Sequence, residues 1–140
     1  MAALKTLFME LHTQGVKLEG IVLKPNMAIS GKKCAHQAGV EEVAEKTVAV
    51  LKASVPAAVP GVAFLSGGQS DLEATAHLNA MNAGFDLPWN LTFSYGRALQ
   101  AAPLAAWAGS NIAAGQAAFA HRAKMNSLAS KGEWNEAMEG

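Results

Sequence analysis

Apolar residues along this chain alternate between helical spacing and short runs, a pattern that predicts helices alternating with buried strands. Leu4 and Phe8 lie on one predicted helical face, and Gly15 ends the segment, which is typical of an amphipathic helix. Residues 18–23 then form a mostly apolar run of strand type. The chain therefore begins with a helix that leads into a strand.

The same pairing of strand and helix recurs twice. An apolar stripe predicts a helix over residues 40–54, and residues 62–65 form the next strand-like run. Ser70 and Glu73 have the spacing of a capping box, which predicts the start of a third helix. The strand-like run at residues 91–93 follows that helix. Strand, loop and helix thus repeat in one order along the chain.

The last part of the chain is rich in alanine and predicts helices after Arg97. Pro103 is expected to divide a short first helix from the segment around Trp107, because proline removes a helical hydrogen bond. Residues 111–130 predict the final helix. Residues 133–140 are expected to form a loosely attached tail.

This element order is typical of parallel β/α units and places the chain in the α/β class. Lys24 and Ser66 are 42 positions apart, and Ser66 and Ser94 are 28 apart, which bracket the average of about 31 residues per unit in an eight-unit barrel. Three units are predicted where a closed barrel needs eight. Because such a sheet leaves edges and one face uncovered, we expect part of something larger: a fragment, a subunit completed by another chain, or a truncated product.

Composition excludes several classes of protein. The chain has 140 residues, enough for one domain, with 51% hydrophobic and 16% charged residues. Its 11 basic and 11 acidic residues give no net charge to attract nucleic acid or an anionic membrane. No apolar stretch is long enough to predict a membrane span. The single cysteine, Cys34, excludes an internal disulfide and suits a reducing compartment, so we expect a cytoplasmic protein.

Lys24 is the first candidate for chemistry, because it ends the apolar run and is followed at once by Pro25 and Asn26. Burial at a strand end disfavours the ammonium form of lysine and favours the neutral amine. A neutral amine is the form that condenses with a ketone or aldehyde to give a Schiff base. The alternative interpretation is an inert lysine that extends from the strand end into water.

Two loops after strands are candidates for phosphate binding. Ser66, Gly67 and Gly68 follow the second predicted strand, and glycines let backbone N–H groups approach an anion closely. Arg97 follows Gly96 after the third strand, and its planar guanidinium matches phosphate oxygens two at a time. Each loop alone is also compatible with an ordinary tight turn.

Taken together, three segments are similar to signature motifs of class I (Schiff-base) fructose-bisphosphate aldolase. They are residues 18–27, 64–70 and 91–100, in the order and spacing of that family. The resemblance implies the C-terminal part of a (β/α)₈ TIM barrel, with about three parallel strands and their helices. It identifies these as the sixth to eighth strands and spans residues 1–140, including the C-terminal helices.

The resemblance also implies roles for individual residues. Lys24 falls on the family's Schiff-base lysine, which attacks the ketone of fructose 1,6-bisphosphate or dihydroxyacetone phosphate. The substrate phosphate positions are Ser66, Gly67, Gly96 and Arg97, and the substrate pocket positions are Leu65 and Ser94. The implied function is the reversible cleavage of fructose 1,6-bisphosphate in glycolysis and gluconeogenesis.

The proton-transfer carboxylates of this family lie on earlier strands, which have no counterpart here. General acid–base catalysis contributes ~10²–10⁴-fold, so the isolated chain is expected to be incomplete and poorly active. The alternative function is a non-catalytic fragment that binds sugar phosphates or complements a partner. Residues 22–27 do not resemble the motifs around the lysine in other Schiff-base aldolases, such as transaldolase.

We expect a small sugar phosphate as ligand, and either a homo-oligomer or a complementing N-terminal chain as protein partner. The four histidines show no pair at the spacing of a helical metal site. The sequence therefore predicts no metal and no cofactor, and histidines that face solvent or cap helices.

Overall fold

The computed structural model describes all 140 residues and contains five helices and three strands. In chain order the elements are α1 (Ala2–Thr13), β1 (Val22–Leu23), α2 (Val40–Ser54), β2 (Gly61–Phe64), α3 (Asp71–Gly84), β3 (Asn90–Phe93), α4 (Arg97–Trp107) and α5 (Ile112–Ala129). Short 3₁₀ turns lie at Leu18–Gly20 and Glu136–Glu139. None of the helices combines the length and apolarity needed to cross a bilayer.

The three strands form one parallel sheet in the order β1-β2-β3, with β2 in the middle. Leu23 pairs with Val62, and Val62 pairs with Leu91, so the carboxyl ends of all three strands lie at one edge. Helices α2 and α3 connect successive strands. This topology confirms the predicted α/β class and the three parallel strands with their helices.

Only one face of the sheet is covered. Val62 and Phe64 are fully buried against α2 and α3, and Leu91 lies in the same core. The alternate positions point to the other face, where Val22 is 64% exposed. Parallel sheets are normally covered on both faces, so this sheet has the uncovered face and free edges expected of part of a barrel.

Helices α2 and α3 form because each presents an apolar stripe to this sheet. Val43 and Leu51 of α2 are buried, as the sequence predicts, and so are Leu78 and Met81 of α3. Burying each such side chain contributes about 1.5–3 kcal/mol. Ser70 and the N3 residue of α3 make the predicted capping box with both reciprocal hydrogen bonds.

The predicted first strand is wrong in its extent. Residues 18–20 form a 3₁₀ turn, and only Val22–Leu23 is a strand. The turn satisfies its own backbone, since the amide of Gly20 donates to Lys17 O at 3.2 Å and that of Ile21 donates to Leu18 O at 3.2 Å. Because β1 has one neighbouring strand, no second ladder extends it.

Pro103 does not divide a helix as predicted, because α4 runs unbroken from Arg97 to Trp107. An interior proline costs about 3 kcal/mol through one lost hydrogen bond and a steric clash, but hydrogen bonding resumes on both sides. Close packing on α5 supports this continuity: a methyl group at Gly115 would lie 3.4 Å from Pro103 O and 2.9 Å from Trp107 Cβ.

The C-terminal segment is anchored, which differs from the loosely attached tail expected over residues 133–140. The amide of Trp134 donates to Asn79 Oδ1 at 3.0 Å. Both terminal nitrogens of Arg122 donate to the carboxylate of Glu139, at 2.9 and 2.8 Å. The tail is held by side chains of α3 and α5, contacts that its own sequence does not reveal.

Candidate functional site

The three predicted motifs meet at the carboxyl edge of the sheet. The amide of Leu65 donates to Pro25 O at 3.0 Å, and the amide of Ser94 donates to Phe64 O at 2.8 Å. These bonds extend the sheet ladder by about one residue beyond each strand. The residues that follow β1, β2 and β3 therefore lie side by side at this edge.

Lys24 lies on the uncovered face of the sheet and is exposed. The strand alternation places it on the same face as Val22, opposite to buried Leu23. The predicted burial of this lysine is therefore wrong for the chain as it stands, because nothing covers this face of the sheet and β1 has no strand on its outer side. Its amine is accessible from the face to which Ser94, two strands away, also belongs. Neighbouring strands lie about 4.8 Å apart, which places the two backbones roughly 10 Å apart.

The loop after β2 has the geometry of an anion cradle. Gly67 has a φ of 58° and Gly68 a φ of 89°, conformations that other residues rarely adopt. A methyl group at Gly67 would lie 2.8 Å from Cγ of Asn26, so a side chain at this position would have to displace that of Asn26. The backbone amides of Ser66, Gly67 and Gly68 donate to no acceptor within the chain. Three unpaired N–H groups in one loop are suited to phosphate oxygens.

Gln69 and His77 hold this loop in place through hydrogen bonds. Gln69 donates to Ser66 O through its backbone amide at 3.0 Å and through Nε2 at 2.8 Å. Its Oε1 lies 2.6 Å from Nδ1 of His77, and both side chains are buried. Because Oε1 is an acceptor, His77 must carry a hydrogen on Nδ1. The prediction of a solvent-facing or capping histidine is wrong at this position.

Burial sets the protonation state of His77. It lowers the pKa of the imidazole, and the nearby charge of Glu73 opposes this effect only in part. The hydrogen bonds that Ser70 donates to Glu73 from its amide and its hydroxyl in turn lower the pKa of that carboxyl. His77 is therefore a neutral hydrogen-bond donor to Gln69, and Glu73 is a carboxylate used in the capping box.

The loop after β3 presents a second set of unpaired hydrogen-bond donors. Gly96 is the N-cap of α4, and Arg97 is its first residue. The amides of Arg97 and Ala98 donate to no acceptor in the chain. The exposed guanidinium of Arg97 has no carboxylate within ion-pair distance. An unpaired arginine at a helix N-terminus is suited to an anion.

Tyr95 attaches the loop after β3 to helix α3. Its hydroxyl donates to Ala74 O in α3 at 2.9 Å, and the side chain is buried. Burial raises the pKa of Tyr95. The tyrosine acts as a neutral donor that sets the position of Ser94 and Gly96 relative to α3.

The structure brings every predicted site residue to this one edge. They are Lys24, Leu65, Ser66, Gly67, Ser94, Gly96 and Arg97. Sequence reasoning missed the supporting contacts of Gln69, Tyr95 and His77. The first two belong to the recognised motifs, and their positions beside glycines were a usable signal. Nothing in the sequence marks His77, because its role depends on packing between α3 and the loop.

Comparison with known proteins decides the family. The family model described as glycolytic, fructose-bisphosphate aldolase class-I, matches residues 1–140. The chain belongs to the class-I fructose-bisphosphate aldolase family. The resemblance of the three motifs to this family is thereby confirmed.

Individual aldolases match over nearly the whole chain. A probable fructose-bisphosphate aldolase class 1 of Xanthomonas axonopodis pv. citri (strain 306) is 54% identical over 136 residues, which are 95% of this chain and 41% of that protein. Fructose-bisphosphate aldolase B of Sparus aurata is 54% identical over 134 residues, 94% of this chain and 37% of that protein. The chain thus spans about two fifths of the length of these curated relatives.

A solved aldolase confirms the fold. It is the fructose-bisphosphate aldolase of Plasmodium falciparum, solved in complex with TRAP and a small-molecule inhibitor. The match has a TM-score of 0.91 and 47% sequence identity, and it covers 94% of this chain and 39% of that one. The three parallel strands and their helices are therefore part of an aldolase α/β barrel.

Proposed function

We propose that this chain supplies the Schiff-base lysine and one phosphate site of a class-I fructose-bisphosphate aldolase. The reaction is the reversible cleavage of fructose 1,6-bisphosphate to dihydroxyacetone phosphate and glyceraldehyde 3-phosphate, in glycolysis and gluconeogenesis. The observation that carries the proposal is that the strand of Lys24 and two loops of unpaired donors end at one sheet edge. The strands would be the sixth to eighth of the barrel.

In this mechanism the amine of Lys24 attacks the substrate ketone. A carbon–nitrogen bond forms, water leaves, and the resulting protonated imine accepts an electron pair. The hydroxyl on the fourth carbon then gives its proton to a base outside residues 1–140, the bond between the third and fourth carbons breaks, and its electrons move toward the imine nitrogen. Glyceraldehyde 3-phosphate leaves, the remaining enamine takes up a proton on the third carbon, and water hydrolyses the imine to release dihydroxyacetone phosphate. In the reverse direction the same electron pair attacks the aldehyde.

The phosphate loops hold the substrate while this occurs. The amides of Ser66 and Gly67, those of the turn at Gly96, and the guanidinium of Arg97 would bind one phosphate group of the ketose. Leu65 and Ser94 lie on the sheet face that also carries Lys24, and we assign them to the wall of the pocket. Fixing the phosphate in this way would bring the ketone carbon to the amine.

Acid–base catalysis must come from outside this set of residues. Glu19 lies on the 3₁₀ turn before β1, and Asp71 and Glu73 lie in the first turn of α3. We therefore propose that the catalytic carboxylates come from the remaining strands of the barrel, in a longer chain or in a complementing one. As an alternative to a complementing chain, we propose that the protein partner is a second copy of this chain, in a homo-oligomer. The solitary, exposed Cys34 supports a reducing, cytoplasmic location.

A chimaera tests the activity directly. Residues 1–140 replace the matching part of the Xanthomonas axonopodis relative, and cleavage of fructose 1,6-bisphosphate is followed through a coupled assay. The chimaera is expected to turn over, and Lys24→Arg is expected to abolish turnover while leaving the fold intact. Full activity of the Lys24→Arg chimaera would overturn the proposal.

A further inference from the structure

Lys32 lies beside the glycine loop, although the motif at this loop does not include it. Its Cε and Nζ atoms each lie 3.5 Å from the position that a Cβ atom would take on Gly68. Lys32, Gly67 and Gly68 line a common cavity of about 200 Å³. The ammonium group is therefore within reach of an anion held by the loop amides.

A hydrogen-bonded turn sets the direction of Lys32. The amide of Cys34 donates to Gly31 O at 2.8 Å. The side chain of Gln37 donates to Gly31 O at 3.2 Å and to Cys34 O at 2.9 Å. Ala38, which follows Gln37, is also held in place, because its amide donates to Ser30 Oγ at 3.0 Å. These bonds order an otherwise exposed loop and direct Lys32, rather than Lys33, to the cavity.

The ammonium group of Lys32 forms no ion pair within the chain. No carboxylate lies within ion-pair distance of its ammonium group. The one carboxylate that lines the same cavity, Glu73, accepts hydrogen bonds from the amide and hydroxyl of Ser70 at 2.8 and 3.0 Å. His77 also lines the cavity and donates to Gln69. Lys32 is thus the one lysine or arginine in the cavity wall, and it has no partner.

We propose that Lys32 is a further phosphate-binding residue, which places its ammonium group over a phosphate monoester held by the amides of Gly67 and Gly68. This inference rests on the proposed function of the glycine loop. A lysine suits the role because its charge is compact and its stem is flexible. The segment that carries the nucleophile Lys24 would then also supply a phosphate ligand eight positions later.

Neighbouring lysines offer a matched test. The full chain and the variants Lys32→Gln and Lys33→Gln are titrated with inorganic phosphate and with dihydroxyacetone phosphate, and NMR follows the amide signals of Gly67 and Gly68. Sodium chloride at equal ionic strength serves as the anion control. Both variants lose one positive charge on an exposed loop, so a general charge effect would change them equally. Unchanged signals elsewhere in the spectrum verify the fold.

We expect Lys32→Gln to weaken phosphate binding roughly fivefold, the size of an exposed charge interaction, and Lys33→Gln to leave it unchanged. Equal affinity of the wild type and both variants would overturn the role of Lys32 while leaving the glycine loop as the phosphate site. Equal weakening in both variants would reduce the effect to net charge and would also overturn it. Absence of phosphate binding to the wild type would overturn both the loop assignment and this inference.

Discussion

The hydroxyl of Tyr95 donates a 2.9 Å hydrogen bond to the carbonyl oxygen of Ala74, and this bond connects the loop after β3 to helix α3. Tyr95 lies between Ser94 and Gly96 in the loop after β3. Ala74 lies in the first turns of α3, the helix that follows the glycine loop. The loop after β3 is thus held by a buried side chain against the helix that begins at the glycine loop.

Replacing Tyr95 by phenylalanine should remove this connection without creating a cavity. We expect a loss of about 1 kcal/mol in the free energy of unfolding, the usual contribution of one hydrogen bond. The wild type should also lose stability above about pH 10, because the unfolded state releases the phenolic proton while burial keeps it bound in the folded state. Urea unfolding at neutral and high pH measures both effects, and an alkaline loss that persists in Tyr95→Phe would contradict this assignment.

Gly67 should tolerate no side chain. Gly67→Ala forces a Cβ onto a residue with a φ of 58° and against the side chain of Asn26. We expect a loss of at least 1–2 kcal/mol, about the strain of that backbone region, together with weaker phosphate binding. Gly20→Ala is the matched control, since nothing lies within 4 Å of the added carbon. Equal unfolding free energies for the two variants would refute the close approach of Asn26.

The helices could be predicted because their signals are local. The apolar stripe of α2 and the capping box at Ser70 and Glu73 depend on residues within one or two turns, and both agree with the structure. The parallel arrangement of the strands followed from the helix predicted between each strand and the next. Lys24, however, was expected to be buried, and its exposure depends on which strands lie beside β1. The residues near Lys24 in the sequence do not indicate which strands lie beside β1.

The support of the candidate site could not be predicted for a related reason. His77 lies eight positions from Gln69, and Arg122 lies 17 positions from Glu139. Each pair is brought together by packing, and single histidines, arginines and glutamates usually face solvent. The motifs therefore identified the residues proposed to touch substrate, whereas His77 and the pair that anchors the C-terminal segment emerged only from the fold.

His77 should make the stability of the chain depend on pH near neutrality. Burial lowers its pKa in the folded state, so the unfolded state takes up a proton first as the pH falls below about 6.5. Stability should therefore decrease between that pH and the lowered pKa. His77→Asn keeps an N–H donor near the position of Nδ1 and cannot titrate. Urea unfolding at pH values on both sides of this window should show a smaller pH effect in the variant, and an identical effect would contradict the assignment.

The pairing of Glu139 with Arg122 should anchor the C-terminal segment. Burial alone would raise the pKa of Glu139, but hydrogen bonds from Arg122, His121 and Trp134 outweigh it and lower the pKa. Glu139→Gln should cost about 1–3 kcal/mol, because it leaves a largely buried guanidinium with only its longer ion pair to Asp71, at 3.5 Å.

The control for this variant is Glu136→Gln, since Glu136 is exposed and makes no ion pair. The wild type should lose stability as the pH falls below about 4.5 and the Glu139 carboxylate is protonated. Glu139→Gln should lack that part of the acid transition. Equal stability of the two variants at neutral pH would show that the tail is not held by this pair.

The central claim is that Lys24 is the amine that captures the ketone of a triose or hexose phosphate. Treating the chimaera described above, in which the barrel is complete, with dihydroxyacetone phosphate and sodium borohydride, followed by peptide mass mapping, tests it most directly. We predict one reduced adduct on Lys24, its loss in Lys24→Arg, and weaker labelling by unphosphorylated dihydroxyacetone. An adduct on any other lysine, or equal labelling with and without the phosphate group, would contradict the account.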